Sequence, residues 1–226
     1  SIKTTGDVYP QVTLGANRSS ENNSLGYVVG RWNNTDVAAI DFLAGPDTTN
    51  KDDGKIGFNT RPSGGGMTRR MTIDSNGYVT KPNQPGCTMT GPNSWATINS
   101  NSQTIPLLTN AQHNVGSHYN TSTGKFTAPV AGRYLASFNA YTDSNEVDSD
   151  DNSKSQYMYF VVNDSGIGRY HGIRAYGNQG DNDGTMSMSF VVEMSANDTI
   201  SPQIGASGYD VRWYGGHTTF SVILLA

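Results

Sequence analysis

The stretch NVGSHYNTSTGKFTAPVAGRYLASF, residues 114–138, alternates two turn clusters with short segments that carry regularly spaced aromatic residues. Pro129 stands where a new strand would begin. Beyond it, Tyr134, Ala136 and Phe138 occupy every second position, which predicts a β-strand with one buried face. The stretch therefore predicts paired strands joined by tight turns.

The same alternation continues toward the C terminus. It predicts strands over 104–108, 132–141, 156–163, 185–194 and 219–226. In 185–194 the Met, Phe and Val residues take alternate positions, while Ser187 and Ser189 fall between them. Because Gly, Asn and Asp clusters separate these segments, the pattern indicates a two-sheet sandwich.

The composition agrees with an all-β chain. Of 226 residues, 26 are Gly and only 15% are charged, which suits short strands joined by turns. The net charge of −4 argues against a nucleic-acid-binding protein. No apolar run reaches the length of about 18 residues that a membrane span needs, so we expect no membrane insertion.

The N-terminal part is also predicted to be β-rich. Strands are predicted over 8–14, 25–32, 37–44, 55–59, 67–73 and 78–80. Each carries few large apolar side chains, so we expect these strands to bury surface against copies of the same chain. Residues 81–92 contain three prolines and are interpreted as a linker. We therefore predict a domain over 1–84 and a second over 85–226.

The second domain resembles a known family. The spacing of Asn114, Tyr119, Phe126, Gly132 and Tyr134 matches the signature of the complement component 1q-type globular head, and residues 220–225 resemble its last strand. The resemblance covers residues 95–226, and it departs at Ala136, where the family usually has Phe. It implies a ten-stranded jelly roll that associates as a homotrimer. No collagen repeat precedes the head here.

Residues 36–80 resemble a recurrent segment of bacteriophage tail-fibre proteins, in which Ile-x-Phe pairs precede an Arg-Met-x-Ile-x-x-x-Gly-x-Val hairpin. That resemblance implies a shaft-type trimer. It would place six side chains in the three-fold interior: Ile40, Phe42, Ile56, Phe58, Met71 and Ile73.

The two resemblances together favour a viral fibre tip. We predict an extracellular, non-enzymatic homotrimer on a virion that attaches to a bacterial surface polysaccharide or protein. The chain starts at Ser1 without Met, so we interpret it as a C-terminal part that other tail proteins hold through a preceding segment. A structural fibre or decoration protein, a secreted globular-head lectin and a depolymerase remain as alternatives.

Two aromatic stretches are the candidate receptor site. Aromatic faces stack on sugar rings, and flanking charged groups hydrogen-bond to hydroxyls. The alternative is that these rings pack at the sandwich ends or in a trimer interface. The candidate residues are Tyr170, His171, Arg174, Tyr176, Tyr209, Asp210, Arg212, Trp213 and Tyr214.

An acidic loop is the candidate metal site. Its oxygen-rich composition suits calcium, and the alternative is a solvated acidic turn. The candidate ligands are Glu146, Asp148, Asp150 and Asp151. Asp181 and Asp183 form a second, weaker candidate. Cys87 is the only cysteine, so no disulfide can form within the chain, and we predict that it is a packed apolar residue.

Overall fold

The protein is described by a computed structural model that covers residues 11–144, 155–164, 169–176 and 182–226. The chain divides into two compact units, Ser1–Asn83 and Gln84–Ala226. The secondary structure of the described residues consists of β-strands and one short 3-10 helix. Within these residues, no helix is long and apolar enough to span a membrane.

In its described residues, 11–83, the first unit forms one five-stranded antiparallel sheet. Neighbours in sequence are neighbours in the sheet throughout, and the connections range from the two residues 33–34 to the nine residues 45–53. Its strands are β1 (Ser24–Trp32), β2 (Thr35–Ala44), β3 (Gly54–Thr60), β4 (Thr68–Ile73) and β5 (Val79–Thr80).

A tight turn joins the last two strands of this sheet. The backbone N–H of Gly77 donates to the Asp74 carbonyl at 3.0 Å, and Gly77 has a φ of 82°. Asp74 Oδ1 accepts from the N–H of Asn76 at 2.9 Å. Asp74 and Gly77 therefore supply the acceptor and the positive φ that a hairpin turn between the predicted strands 67–73 and 78–80 needs.

One N-terminal strand prediction is wrong in its described part. Residues 11–14 of the predicted strand 8–14 pair with no strand of the described structure. Their side chains are exposed, with Val12 61% and Leu14 39% accessible. Alternating polarity alone therefore does not produce a β-strand where no neighbouring strand is available for pairing.

The second unit is a sandwich of a six-stranded and a seven-stranded sheet. Its strands are β6 (Gly86–Thr90), β7 (Trp95–Ile98), β8 (Gln103–Thr104), β9 (Asn110–Val115), β10 (Tyr119–Asn120), β11 (Lys125–Thr127), β12 (Gly132–Ser144), β13 (Ser155–Val162), β14 (Arg169–Tyr176), β15 (Asn182–Met194), β16 (Thr199–Ser207), β17 (Val211–Tyr214) and β18 (Thr219–Leu224). Three of them, β8, β10 and β11, have only two or three residues. The two sheets confirm the predicted jelly-roll fold, with thirteen strands in the described residues where the resemblance implies ten.

The sheet order is non-sequential, as in a jelly roll. One sheet runs β10-β11-β16-β13-β14, with β8 also paired to β16. The other runs β7-β17-β12-β18-β6-β9, with β15 paired along the second edge of β12. The long strand β12 therefore pairs with three strands, β15 along one edge and β17 and β18 along the other.

The core lies between these two sheets. Phe126, Phe160 and Phe220 are all 0% exposed, and Tyr134 is equally buried. The rings of Phe160 and Phe220 lie 6.0 Å apart, so residues from opposite sheets meet directly. The period-two faces predicted for 132–141 and 185–194 are confirmed, since their alternate apolar residues enter this core.

The spacing signature around residues 114–134 has a physical basis. Asn114 Oδ1 accepts from the Tyr119 N–H, and its Nδ2 donates to the Tyr119 carbonyl, both at 3.0 Å. The side chain of Asn114 therefore pairs with the Tyr119 backbone as a neighbouring strand would, and this stabilises the β9–β10 turn. The Tyr134 hydroxyl donates to the Val130 carbonyl at 2.7 Å, which fixes the turn around Pro129.

Gly132 belongs to the signature because no side chain fits there. A Cβ at this position would lie 2.7 Å from the Ala226 carbonyl oxygen and 2.8 Å from Leu224 Cδ1. The C-terminal residues therefore pack directly on the start of β12. Ala136, the departure from the family pattern, is fully buried on the same core face as Phe138.

The predicted linker is wrong over residues 86–90. These residues form β6, which pairs with β18 and β9. Cys87 and Met89 are fully buried there. The prolines at 85 and 92 flank this strand instead of interrupting it, since a proline just outside a strand removes no ladder hydrogen bond.

Candidate functional site

Strand β17 carries three of the predicted receptor residues, and its pleat separates them. Trp213 is 7% exposed and belongs to the core, as does Tyr209 at 4% just before the strand. Arg212 and Tyr214 point to the opposite face and are half-buried. The rings of Trp213 and Tyr209 therefore stabilise the core. Of these four side chains, only Arg212 and Tyr214 are accessible to a ligand.

On that outer face the structure assembles an aromatic cluster, which we define as Trp95, Tyr141, Tyr214 and His217. Trp95 of β7 pairs in register with Tyr214 of β17. Their ring centroids are 5.2 Å apart, and Trp95 lies 5.8 Å from Tyr141 of β12. His217, in the 3-10 turn Gly215–His217, lies 5.2 Å from Tyr141 and 5.0 Å from Tyr214. Each ring therefore lies beside two other rings of the cluster.

The cluster is accessible on the isolated chain. Trp95 is 41% exposed, and His217 is also exposed. Rings that keep one face in water while their edges pack against each other form a platform for an apolar ligand face. Chemically, this platform suits a sugar ring or an aromatic or aliphatic side chain of a partner.

A charged pair borders the aromatic cluster. Arg212 contacts Asp143 of β12 through Nη2 and Oδ2, and its Cζ lies 5.1 Å from the Trp95 ring. Asp143 is only 6% exposed. Because the carboxylate holds the guanidinium over the indole, the cation–π contact is fixed in place. Arg212 Nε is buried and has no hydrogen-bond partner among the described residues.

Asp210 has a structural partner. Its Oδ1 accepts from the backbone N–H of Ser100 at 2.7 Å. This bond connects the turn before β17 to the segment after β7. The carboxylate thus supports the edge on which Trp95 and Tyr214 lie, and its contact with a receptor stays a prediction.

The second predicted stretch lies in the other sheet. Tyr170, His171, Arg174 and Tyr176 belong to β14, which pairs with β13. The positions of their side chains are outside the described structure. The structure therefore does not unite the two aromatic stretches on one strand pair.

The calcium prediction falls outside the described residues, because Glu146, Asp148, Asp150 and Asp151 belong to the segment 145–154. Asp181 also lies outside them. Among the residues that are described, no group of three His, Cys, Asp or Glu residues is placed to hold a metal ion. The calcium site stays a prediction.

Cys87 is packed, as predicted. It is 0% exposed in the core, and burial raises the pKa of its thiol to about 12. A thiol with such a pKa remains protonated at neutral pH and is a poor nucleophile.

Sequence reasoning missed Trp95 and Tyr141. Each stands at an outward position of its strand or turn, where an aromatic residue gives no core signal. Their proximity depends on the pairing of β7 with β17 and of β17 with β12. Pairing between segments so distant in sequence leaves no periodic trace in either one.

Comparison with known proteins identifies the second unit. The family model of the C1q domain matches residues 93–225. The chain belongs to the C1q domain family. The match agrees with the resemblance predicted for residues 95–226, whereas it does not include residues 36–80, whose likeness to tail-fibre segments stays a prediction.

Two solved structures are similar to this chain. The globular domain of a zebrafish complement 1qA protein is 11% identical, with 63% of this chain and 98% of that chain covered and a TM-score of 0.45. The Eiger TNF structure from S. frugiperda is also 11% identical, with 63% and 93% covered and a TM-score of 0.48. No curated protein matches the chain.

Proposed function

We propose that this chain is the tip of a virion fibre, a non-enzymatic, extracellular homotrimer that attaches to a bacterial surface glycan or protein. C1q-type domains are binding modules, and the family resemblance implies a trimer. The aromatic cluster of Trp95, Tyr141, Tyr214 and His217 is the observation that carries the proposal, because it is an exposed stacking platform beside a fixed arginine. The upstream resemblance to tail-fibre segments supports the virion.

The second unit offers a surface for the trimer. Leu135 of β12 lies between Val191 of β15 and Ile223 of β18 on the outer face of their sheet. Val191 is 56% exposed and Ile223 42%. Since apolar area removed from water contributes about 25 cal/mol per Å², contact with another copy of this face would stabilise an oligomer.

The first unit offers a second such surface. Ile40, Phe42 and Ile56 are 36–39% exposed, and the pairing register places Phe58, Met71 and Ile73 on the same face. These six residues are the ones predicted for a three-fold interior, and that arrangement remains a prediction. Their exposure on an isolated chain supports it.

The trimer is tested by light scattering at neutral pH. We expect a mass of about three times the 24.3 kDa of the chain. Val191→Asp should lower the mass, because it places a charge in the proposed interface. Leu107→Asp is the matched control, since Leu107 is 45% exposed and lies outside that patch. A monomer in the wild type would contradict the proposal.

Attachment is tested by binding of the labelled chain to bacterial cells. Trp95→Ala and Tyr214→Ala should each weaken binding about tenfold or more, as loss of a central aromatic contact does, and three sites per trimer amplify the loss. Trp32→Ala is the matched control, because Trp32 is 79% exposed in the first unit. Trp213→Ala would test folding instead, because its ring is buried.

The outcomes separate the proposed function from its alternatives. Binding that resists both substitutions would exclude the aromatic cluster. A trimer that binds no bacterial cell would favour a structural fibre or decoration protein. Binding to animal-cell glycans alone would favour a secreted lectin, and shortening of purified polysaccharide would indicate a depolymerase.

A further inference from the structure

A cleft of about 440 Å³ lies on one face of the first-unit sheet. Its lining includes Tyr27 of β1, Asp41 of β2, Asn59 of β3 and Arg69 of β4. The face follows from the pairing register, since Tyr27 is opposite Asp41 and Asn59 is opposite Arg69. This is the face opposite to Ile40 and Phe42, because side chains alternate along a strand.

Asp41 lines the cleft, and one of its two carboxylate oxygens has no donor among the described residues. It is only 4% exposed, and its Oδ1 has no hydrogen-bond partner in the part of the chain that the structure describes. Its Oδ2 lies 3.6 Å from Arg69 Nη2, which is an ion pair but too long for a hydrogen bond. A buried carboxylate oxygen without a donor is unfavourable and rare in native proteins.

Arg69 presents the complementary group. Its Nε is buried and also lacks a hydrogen-bond partner among the described residues. Gly57 allows this position, because a Cβ there would lie 3.0 Å from Arg69 Nε and 3.3 Å from Arg69 Cδ. The arginine side chain therefore lies across β3 toward Asp41, and the cleft contains one unused acceptor and one unused donor.

The chemistry of the missing partner follows from these two groups. A hydroxyl donates its O–H to a carboxylate oxygen and accepts an N–H from a guanidinium at the same time. Asp41 and Arg69 neutralise each other, and Asp36 at the cleft is paired with Arg31 at 2.6 Å. An ionic ligand therefore gains no net electrostatic attraction.

The rim of the cleft provides an aromatic face. Tyr27 is 54% exposed, and aromatic rings pack against the apolar face of a sugar. Asn59 adds an amide that both donates and accepts. We propose that this cleft binds a neutral polyhydroxylated ligand, a sugar unit, with one hydroxyl between Asp41 Oδ1 and Arg69 Nε and the ring against Tyr27. The site is in the other unit and does not depend on the proposed function of the aromatic cluster.

The proposal is tested by ligand-observed saturation-transfer NMR on the full chain. The neutral probes are glucose, galactose, mannose and N-acetylglucosamine, and the charged comparators are glucuronate and glucosamine. We expect at least one neutral sugar to bind with a millimolar Kd and to do so more tightly than its charged counterpart. Failure of every neutral probe, or binding of the charged sugars alone, would overturn the proposal.

Three substitutions locate the binding. Asp41→Asn and Arg69→Met each remove one of the two hydrogen bonds to the hydroxyl and should weaken binding about tenfold. Tyr27→Ala changes an exposed side chain, so it decides the result if either buried variant fails to fold. Binding that survives all the variants that fold would overturn the proposal.

Two sets of control variants test whether the sugar binds in this cleft. Arg70→Met removes the adjacent arginine, which donates to Thr60 Oγ1 at 3.3 Å and does not line the cleft; it should leave the Kd unchanged. Trp95→Ala and Tyr214→Ala should also leave it unchanged. If these last two abolish sugar binding while the Asp41 variant does not, the sugar binds the aromatic cluster and the cleft proposal is wrong.

Discussion

The two units contain similar alternating strands but bury them to different extents. In the unit Gln84–Ala226 two sheets cover each other, and Phe126, Phe160 and Phe220 are fully buried. In the unit Ser1–Asn83 the described residues form one sheet, which leaves Trp32 79%, Val28 55% and Phe42 36% exposed. Both follow the same period-two pattern, so the pattern alone does not determine burial.

The difference shows what a second layer provides. A sheet has two faces, and each apolar face must pack against another element to leave water. Alternation specifies which side chains share a face, whereas the covering element comes from elsewhere in the chain or from another molecule. The second unit supplies that element itself, which is why we propose that the first unit obtains it from other copies.

The largest expected effect is a loss of unfolding free energy when a core phenylalanine, rather than a surface one, is replaced by alanine. Phe220→Ala should lower the free energy of unfolding of the second unit by about 3–5 kcal/mol, the cost of a large cavity. Phe42→Ala should cost the first unit much less in dilute solution. Urea unfolding followed by tryptophan fluorescence measures both, since Trp32 reports on the first unit and Trp95 and Trp213 on the second.

The dependence of these stability losses on protein concentration separates the two units further. If copies of the chain cover Phe42, the cost of Phe42→Ala should rise with protein concentration. Equal losses for the two variants at every concentration would show that the first unit buries its apolar face by itself.

The next effect is an alkaline loss of stability in the second unit. Burial raises the pKa of Tyr119 from 10.0 to about 12, and Leu108 N–H donates to its hydroxyl at 3.3 Å. Between these values the unfolded chain loses a proton that the folded chain keeps, so the contribution of Tyr119 to stability is constant below pH 10 and falls above it by about 2–3 kcal/mol in total. The buried Cys87 thiol, whose pKa rises from 9.0 to about 12, adds a separate loss that begins near pH 9.

Unfolding midpoints measured from pH 8 to 12 check this expectation. Tyr119→Phe should flatten the alkaline slope of the second unit. Tyr78→Phe is the matched control in the first unit, where the ring is 70% exposed, and it should leave that slope unchanged. An identical slope in wild type and Tyr119→Phe would contradict the role of burial.

A smaller effect compares two glycines. A Cβ at Gly215 would lie 2.4 Å from the Pro92 carbonyl oxygen, whereas a Cβ at Gly30 would meet only the Ala38 carbonyl oxygen at 3.7 Å. Gly215→Ala should therefore destabilise the second unit by about 1–3 kcal/mol. Gly30→Ala should stabilise the first by up to about 1 kcal/mol, because it reduces the entropy of the unfolded chain. Thermal melts of both variants measure these changes. A loss of stability for Gly30→Ala would show that another part of the protein packs against its strand.

The smallest expected effect is the pH dependence of stability that one aspartate contributes to each unit. Hydrogen bonds from Asn163 Nδ2 and the Ser195 N–H lower the pKa of Asp198, and those from the N–H groups of Asn50 and Thr49 lower that of Asp47. Each contribution is present above the ordinary aspartate pKa of 3.8 and is lost as pH falls through the lowered value. Asp198→Ala and Asp47→Ala should each make the unfolding midpoint of its own unit less dependent on pH below 4; a change in the other unit would contradict this assignment.

The candidate site contains residues that the sequence predicts and residues that it does not. Arg212 and Tyr214 are predictable because charged and aromatic residues stand together in one strand. Trp213 stands in the same strand, but a position one residue away faces the opposite side of the sheet, and its ring is in the core. Trp95 and Tyr141 escape prediction because only the register of β7, β17 and β12 brings Trp95 beside Tyr214 and Tyr141 beside Trp95.

The strand β6 gives the same lesson for the domain boundary. The prolines of residues 81–92 predict a linker, yet Gly86–Thr90 pairs with β18 and β9. Proline reports on the backbone at its own position and its neighbours. It does not report on a strand edge that becomes available from the far end of the chain.

The sequence by itself determined the all-β class, the alternating faces and the C1q-type spacing of Asn114, Tyr119, Phe126, Gly132 and Tyr134. These features depend on local backbone chemistry and on contacts within one hairpin or turn. Only the tertiary structure decided which faces are covered, where Trp95 meets Tyr214 and how Arg69 crosses Gly57 to reach Asp41. The reason is that strand pairing joins residues distant in sequence, and a period of two is the same on either side of a sheet.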